Sequence, residues 1–317
     1  MEQKRILVFI FFISLFVSCK TNNEINIEKT DKLILHNIII ISDVTNRITS
    51  WPKPIHDTVI IDNLIDYFNQ EIIRPGILTN PRHIIQFYNL NPFKQSNCNG
   101  ISKIDLFGMR NSIEKSKYVN SKSIGNTLNN DLLNLKETIQ CQYKTQDKSG
   151  DILNSLNQIF VLDENIMNSQ PKYDSILEAS QVWENDVFLF TDGYLEFNNM
   201  KNSKFSTPSS KIIEIRKLCL QNKKNPTDIL DTYPNLKIEP ILNKAFNHIK
   251  LHILETYDRG IDKTTGISKE AISDEIILKS LWNKWALESG FPQPITYYSF
   301  IKKNQDIKNK IITIFKN

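Results

Sequence analysis

Two aspartates stand where hard oxygen chemistry could be done. Asp43 follows the apolar run Ile38-Ile39-Ile40-Ile41, and Asp192 follows Val187-Phe188-Leu189-Phe190. Carboxylates with a hydroxyl nearby make an oxygen site suited to Mg²⁺ or Ca²⁺. Thr45 supplies a hydroxyl just after Asp43. A further hydroxyl ligand has two alternatives: Thr127, in Gly125-Asn126-Thr127-Leu128, and Ser149, in Lys148-Ser149-Gly150-Asp151. Arg47 cannot ligate a cation, but its guanidinium can pair an acidic group on a partner. The plainer reading is local: Asp43 and Thr45 capping a strand-ending turn, and Asp192-Gly193 as an ordinary Asp-Gly turn. His248 and His252 have the i,i+4 spacing of two ligands on a helix face, but the stretch reads as a strand and has no glutamate beside them.

Bringing the two aspartates together requires a particular set of elements. The β-branched run before Asp43 suits a strand buried on both faces, as in a parallel sheet. After Pro52 and Pro54, Ile61, Leu64, Ile65, Phe68 and Ile72 form a helical stripe, with Asp57 as its cap. A second strand follows over 83–88, and strand-helix-strand implies a right-handed crossover and a parallel pair. Residues 89–125 read as irregular. Helical spacing returns over 128–139, 152–160 and 174–183, before the strand 186–190 that ends at Thr191-Asp192-Gly193. Residues 194–209 read as loop, 211–220 as helix and 249–257 as strand. A last helix carries Ile277, Leu278, Leu281, Trp282 and Trp285 and stops at Gly290 and Pro292. An edge strand over 295–301 follows. The expected fold is α/β, a doubly wound, mostly parallel sheet with helices on both faces. In such open sheets ligands bind at the carboxyl edge, where Asp43 and Asp192 fall.

At this point the chain resembles the von Willebrand factor type A domains. Their motif is Asp-x-Ser-x-Ser after the first strand, a threonine from a middle loop, and an aspartate commonly set in Thr-Asp-Gly after a later strand. Here the first part reads Asp43-Val44-Thr45-Asn46-Arg47 and the last Thr191-Asp192-Gly193. The resemblance implies a metal-ion-dependent adhesion site, with Mg²⁺ or another divalent cation on Asp43, Thr45 and Asp192 and on Thr127 or Ser149. Arg47 stands where the second serine would be, and the long spacing between the motifs implies an insertion around 89–150.

The amino terminus carries a different chemistry. Lys4 and Arg5 precede an apolar run from Ile6 to Val17, too short for a membrane span of about 20 residues but suited to a signal peptide. Phe16-Val17-Ser18-Cys19 resembles a lipobox, with Phe16 where leucine is usual. The resemblance implies cleavage before Cys19, lipid on its sulfur, and membrane attachment. Residues 1–18 are then a signal peptide, 19–32 a polar tether, and 33–317 a single domain. Lys20 and Thr21 after the cysteine imply the outer membrane of a bacterial cell envelope. The face of that membrane stays open.

Composition bounds the rest. Hydrophobic residues make up 40% and charged residues 23%, enough for a real core. The net charge of +4 is spread without a basic block, which gives no case for nucleic acid. Beyond Cys19 the cysteines are Cys98, Cys141 and Cys219, with no metal-type spacing; two could pair in an exported protein, leaving one free, or all three could be buried thiols. The expected function is a lipid-anchored binding or assembly module of the envelope, engaging an envelope or extracellular protein. A structural lipoprotein without metal is the alternative. A hydrolase using Asp43 as nucleophile has less support: Thr45 occupies the place of the second aspartate of dehalogenase-like phosphatases, and Gly-x-Ser-x-Gly, His-Glu-x-x-His and phosphate-loop motifs are absent.

Overall fold

The structure, a computed structural model, describes residues 32–44, 57–73, 82–89, 98, 100–121, 127–144, 152–161, 165–175, 179–195, 207–256, 258–262, 264–265, 267–298 and 307–316. The chain divides into two units. The smaller takes in residues up to Leu33 and Lys172–Gln181. Its described part holds β4 (Lys172–Asp174), which pairs antiparallel with the first residues of β5 (Ala179–Phe190). Residues 174–183 are therefore not the expected helix. The strand alternation that buries Val182 and leaves Trp183 half-exposed already belongs to β5, and Asp174 lies opposite Ala179 in the antiparallel ladder.

The main unit, Ile34–Pro171 and Val182–Asn317, is α/β with a mostly parallel sheet. Its strands are β1 (Lys32–Ser42), β2 (Ile84–Asn89), β3 (Lys103–Asp105), β5, β6 (Ile249–Leu254) and β7 (Thr296–Tyr298). They lie in the order β3-β2-β1-β5-β6-β7. β1 pairs β2, β5 pairs β6, and β6 pairs β7, all parallel, while β3 is antiparallel to β2. Ile38 to Ile41 are fully buried, as a central strand requires. Successive side chains point to opposite faces. Ile39, Ile41, Val187 and Leu189 join one apolar cluster, and Ile38, Ile40, Phe188 and Phe190 the other.

The helices divide between these clusters. The first receives α4 (Ile152–Val161), α5 (Ser209–Asn222), α6 (Pro226–Thr232) and α7 (Asp274–Ser289). The second receives α1 (Asp57–Tyr67, continued by a π-helical turn to Ile73), α2 (Ser112–Asn120), α3 (Leu128–Lys144) and α8 (Ile307–Lys316). The expected stripe on α1 is the buried face, with Ile61, Leu64, Ile65 and Phe68 at zero exposure. The segment 89–125 is not wholly irregular. It contains β3, and α2 capped by Asn111, whose Oδ1 accepts from the backbone N–H groups of Ile113 and Glu114 at 3.0 and 3.2 Å. No helix among the described residues is long and apolar enough to cross a membrane.

Just before β2, His83 is buried with its Nδ1 accepting the His36 backbone N–H at 3.0 Å. Burial, helped by the neighbouring His36, pushes its pKa from 6.5 down to about 3. Between those values the unfolded chain binds a proton at this position and the folded chain does not, so stability rises with pH. The contribution is complete above about pH 6.5 and is lost as pH falls toward 3. Urea unfolding across this window should show a slope of about 1.4 kcal/mol per pH unit from this one group. His83→Gln, which keeps an acceptor but cannot titrate, should remove it; an unchanged slope would assign the dependence to other groups.

Candidate functional site

The carboxyl edge of β1 and β5 brings the two sequence-marked aspartates to neighbouring strand ends. The Asp43 backbone N–H donates to the carbonyl of Phe190, the last residue of β5, at 2.9 Å. Thr191 then donates its N–H to the carbonyl of Leu254 at the end of β6, 3.0 Å away. Three strand ends are thus laced together by backbone bonds, and Asp43 and Asp192 are both buried.

The turn after β5 is fixed from within. Thr191 Oγ1 accepts from the Gly193 N–H, and Asp192 Oδ1 accepts from the Tyr194 N–H, each at 3.1 Å. Gly193 has φ +89°, a conformation that disfavours a side chain. A Cβ there would also press on Thr256 Cγ2 at 3.2 Å. From α7, Trp282 Nε1 donates to the Gly193 carbonyl at 3.0 Å. Trp282 and Trp285 are core residues, as their spacing implied, but Trp282 also holds the turn.

The second oxygen of Asp192 is held by a residue that sequence reasoning missed. Arg259 NH2 donates to Asp192 Oδ2 at 3.1 Å, with the arginine 35% exposed and the aspartate 4%. The guanidinium also lies 3.8 Å from the centre of the Tyr194 ring, a cation–π contact. The Tyr194 hydroxyl accepts the Arg259 backbone N–H at 3.2 Å and donates to Asp274 Oδ2. Burial, then the bond to Asp274, raises the Tyr194 pKa, so the hydroxyl keeps its proton. Asp274 also binds Arg216, whose Nε donates to the Ile272 carbonyl at 2.8 Å. Asp192, Arg259, Tyr194, Asp274 and Arg216 therefore form one connected network from β5 to α7. The sequence signal that could have found it is Asp258-Arg259-Gly260 shortly after β6, a turn signature at a third strand end.

The hydroxyl candidates separate. Tyr143, in the last turn of α3, shares a hydrogen bond with Ser42 Oγ at the end of β1 and donates to Asp57 Oδ2 at 3.2 Å. Thr127 caps the other end of this helix: its Oγ1 accepts the Asn130 N–H at 3.4 Å, and its carbonyl accepts the Asp131 N–H at 3.0 Å. At 1.5 Å per residue, Thr127 lies roughly 24 Å from Tyr143, which removes it from the ligand set. α3 ends at Lys144, at the edge that holds Asp43. Ser149 itself, Thr45, Arg47 and Cys19 lie outside the described residues.

The arrangement does not match a ready divalent site. Both oxygens of Asp192 are engaged, one by a fixed positive charge, and a cation would have to displace Arg259. His248 and His252 do not act together either. His248 Nδ1 bonds Ser169 Oγ at 2.7 Å, whereas His252 Nε2 lies 3.1 Å from Asp186 Oδ1. Cys98 and Cys141 form a disulfide, and Cys219 is free and buried. Comparison with protein-family models and with curated proteins gives no match.

Proposed function

We propose that this chain is a lipid-anchored binding module of the bacterial cell envelope, with a doubly wound, von Willebrand factor type A-like domain that engages a protein partner at the carboxyl edge of β1 and β5. The observation that carries the reading is the pairing of Asp43 and Asp192 at adjacent strand ends. The strand order supports it. With the β4 hairpin set aside, β3-β2-β1-β5-β6-β7 is the 3-2-1-4-5-6 sequence of doubly wound sheets, and β1 and β5 flank the point where the order reverses. The Cys98–Cys141 disulfide supports export, since such bonds persist in oxidising compartments. Lipid on Cys19 and placement in the outer membrane rest on the sequence alone.

In this reading Arg259 supplies the positive charge at Asp192, and Mg²⁺ or another divalent cation is its competitor. Calorimetric titration of the mature chain with Mg²⁺ should give no binding heat, whereas Arg259→Ala should bind Mg²⁺. Heat in the parent that vanishes in Asp43→Ala would instead put a cation in the working site. For the partner, a photo-crosslinking residue at position 47 should capture an envelope protein in cells, while one at Leu242, 87% exposed and outside the edge, should not. Equal capture at both positions, or none at 47, would sink the edge as the binding surface. Labelling with a lipid precursor should mark the parent and not Cys19→Ala.

A further inference from the structure

A second polar cluster lies lower on the sheet, on the face covered by α8. His36 of β1 and Glu184 and Asp186 of β5 offer one nitrogen and two oxygens that all fall within 4.8 Å of one another. Asp186 is four residues before the end of its strand, roughly 13 Å from the carboxyl edge, so this cluster is separate from Asp43 and Asp192. We infer that His36, Glu184 and Asp186 form a binding site for a divalent transition metal, with Zn²⁺ the ion that suits this donor set.

The first argument is desolvation. Asp186 Oδ2 is buried with no hydrogen-bond partner, on a side chain only 2% exposed, and His36 Nδ1 is likewise buried and unbonded. They face each other at 3.8 Å, too far for a hydrogen bond. A buried, unsatisfied carboxylate oxygen costs free energy, and a cation between these two atoms would satisfy both. Around a tetrahedral Zn²⁺ with ligands at 2.0–2.2 Å, donor atoms stand ~3.4 Å apart, so the site would have to close from 3.8 Å between His36 and Asp186 and from within 4.8 Å across all three donors.

Support from behind the ligands is the second argument. His252 Nε2 lies 3.1 Å from Asp186 Oδ1, and His252 Nδ1 lies 3.1 Å from Thr296 Oγ1. Phe188 stacks on the His252 ring at 4.7 Å between centroids. The other oxygen of Asp186 is thus oriented by an imidazole that is itself fixed, the pattern expected around a metal-bound carboxylate. On β1, the His36 backbone N–H is held by His83, and the Phe315 ring stands edge-on to the His36 ring with centroids 6.0 Å apart.

Accessibility is the third. His36 and Glu184 side chains are 19% and 23% exposed, so an ion has a route in. Glu184 Oε2 pairs with Lys250 at 3.2 Å, and Lys250, at 45% exposure, can release it to solvent. One imidazole with two carboxylates favours Zn²⁺ over Mg²⁺, which prefers an all-oxygen shell.

The test uses the full mature chain, freed of metal by a chelator. Zn²⁺ titration should show one equivalent bound, Co²⁺ should give the visible absorption of a low-coordinate site, and Mg²⁺ should not compete. His36→Gln and Glu184→Gln, both at part-exposed positions, should weaken Zn²⁺ at least tenfold with the circular dichroism unchanged. His252→Gln should weaken it by about 10–100-fold through Asp186. Asp186→Asn is the strongest variant, but it sits in the core of a strand, so the two exposed ligands carry the decision. A parent that binds no Zn²⁺, or a full equivalent retained in both His36→Gln and Glu184→Gln, would overturn the assignment.

Discussion

Replacing Trp282 with alanine is expected to lower the unfolding free energy by about 3–5 kcal/mol, the range for losing a large buried aromatic. Trp282 is fully buried and lies edge-on to Trp285 with ring centroids 5.3 Å apart. The loss should exceed that of a purely apolar residue, because Trp282 Nε1 also donates to the Gly193 carbonyl. Trp282→Phe separates the two parts. It keeps most of the packing and removes the donor, leaving a buried carbonyl unsatisfied at about 1–3 kcal/mol. Chemical denaturation of the three proteins would measure this. A Trp282→Phe chain as stable as the parent would mean that Gly193 does not depend on the indole.

Removing the disulfide should cost a similar amount. Cys98 and Cys141 are separated by 43 residues, and the chain-entropy model gives about 4 kcal/mol for a loop of that size. The bond joins the segment before β3 to α3, two residues from Tyr143. Cys98→Ala/Cys141→Ala should therefore lower the urea midpoint sharply. It should also loosen the end of α3, raising hydrogen exchange at Tyr143 and Lys144. Destabilisation below about 1 kcal/mol would show that the oxidised and reduced unfolded chains are similarly compact.

The sheet was legible in the sequence because its central strands are continuous apolar runs. Ile38–Ile41 and Val187–Phe190 read as doubly buried strands, and each has an aspartate two residues past its end. α7 was legible from the period of its tryptophans and its Gly290 stop, where φ is +93°. Short elements were not. β3 has three residues and α2 has a weakly apolar face, so neither builds a periodic signal. Residues 174–183 carried helical spacing, but Asp174 pairs with Ala179 in a hairpin and the later residues belong to β5, a case where partner strands override local pattern. At the site, Asp43 and Asp192 could be found because each lies within two residues of the end of its own strand. Arg259 could not, because it reaches Asp192 from a turn 67 residues away. The placement of Thr127 depends on which end of α3 faces Ser42, and that is set by the contact made by Tyr143.

The position of β1 has a mechanical consequence. Asp43 follows directly on a central strand, and among the described residues that strand is the first regular element. A pull between a membrane anchor and a partner held at Asp43 would run along this one strand and spare the rest of the fold. The strand is flanked by β2 and β5, and six residues, Asn37 to Ser42, are in parallel register with β2. Tension entering and leaving through the same strand is carried by its covalent backbone, and the ladders on either side hold that strand extended without being the load path. On the proposed reading, with lipid at Cys19 and a partner at Asp43, this strand would be a stiff link in series between the two.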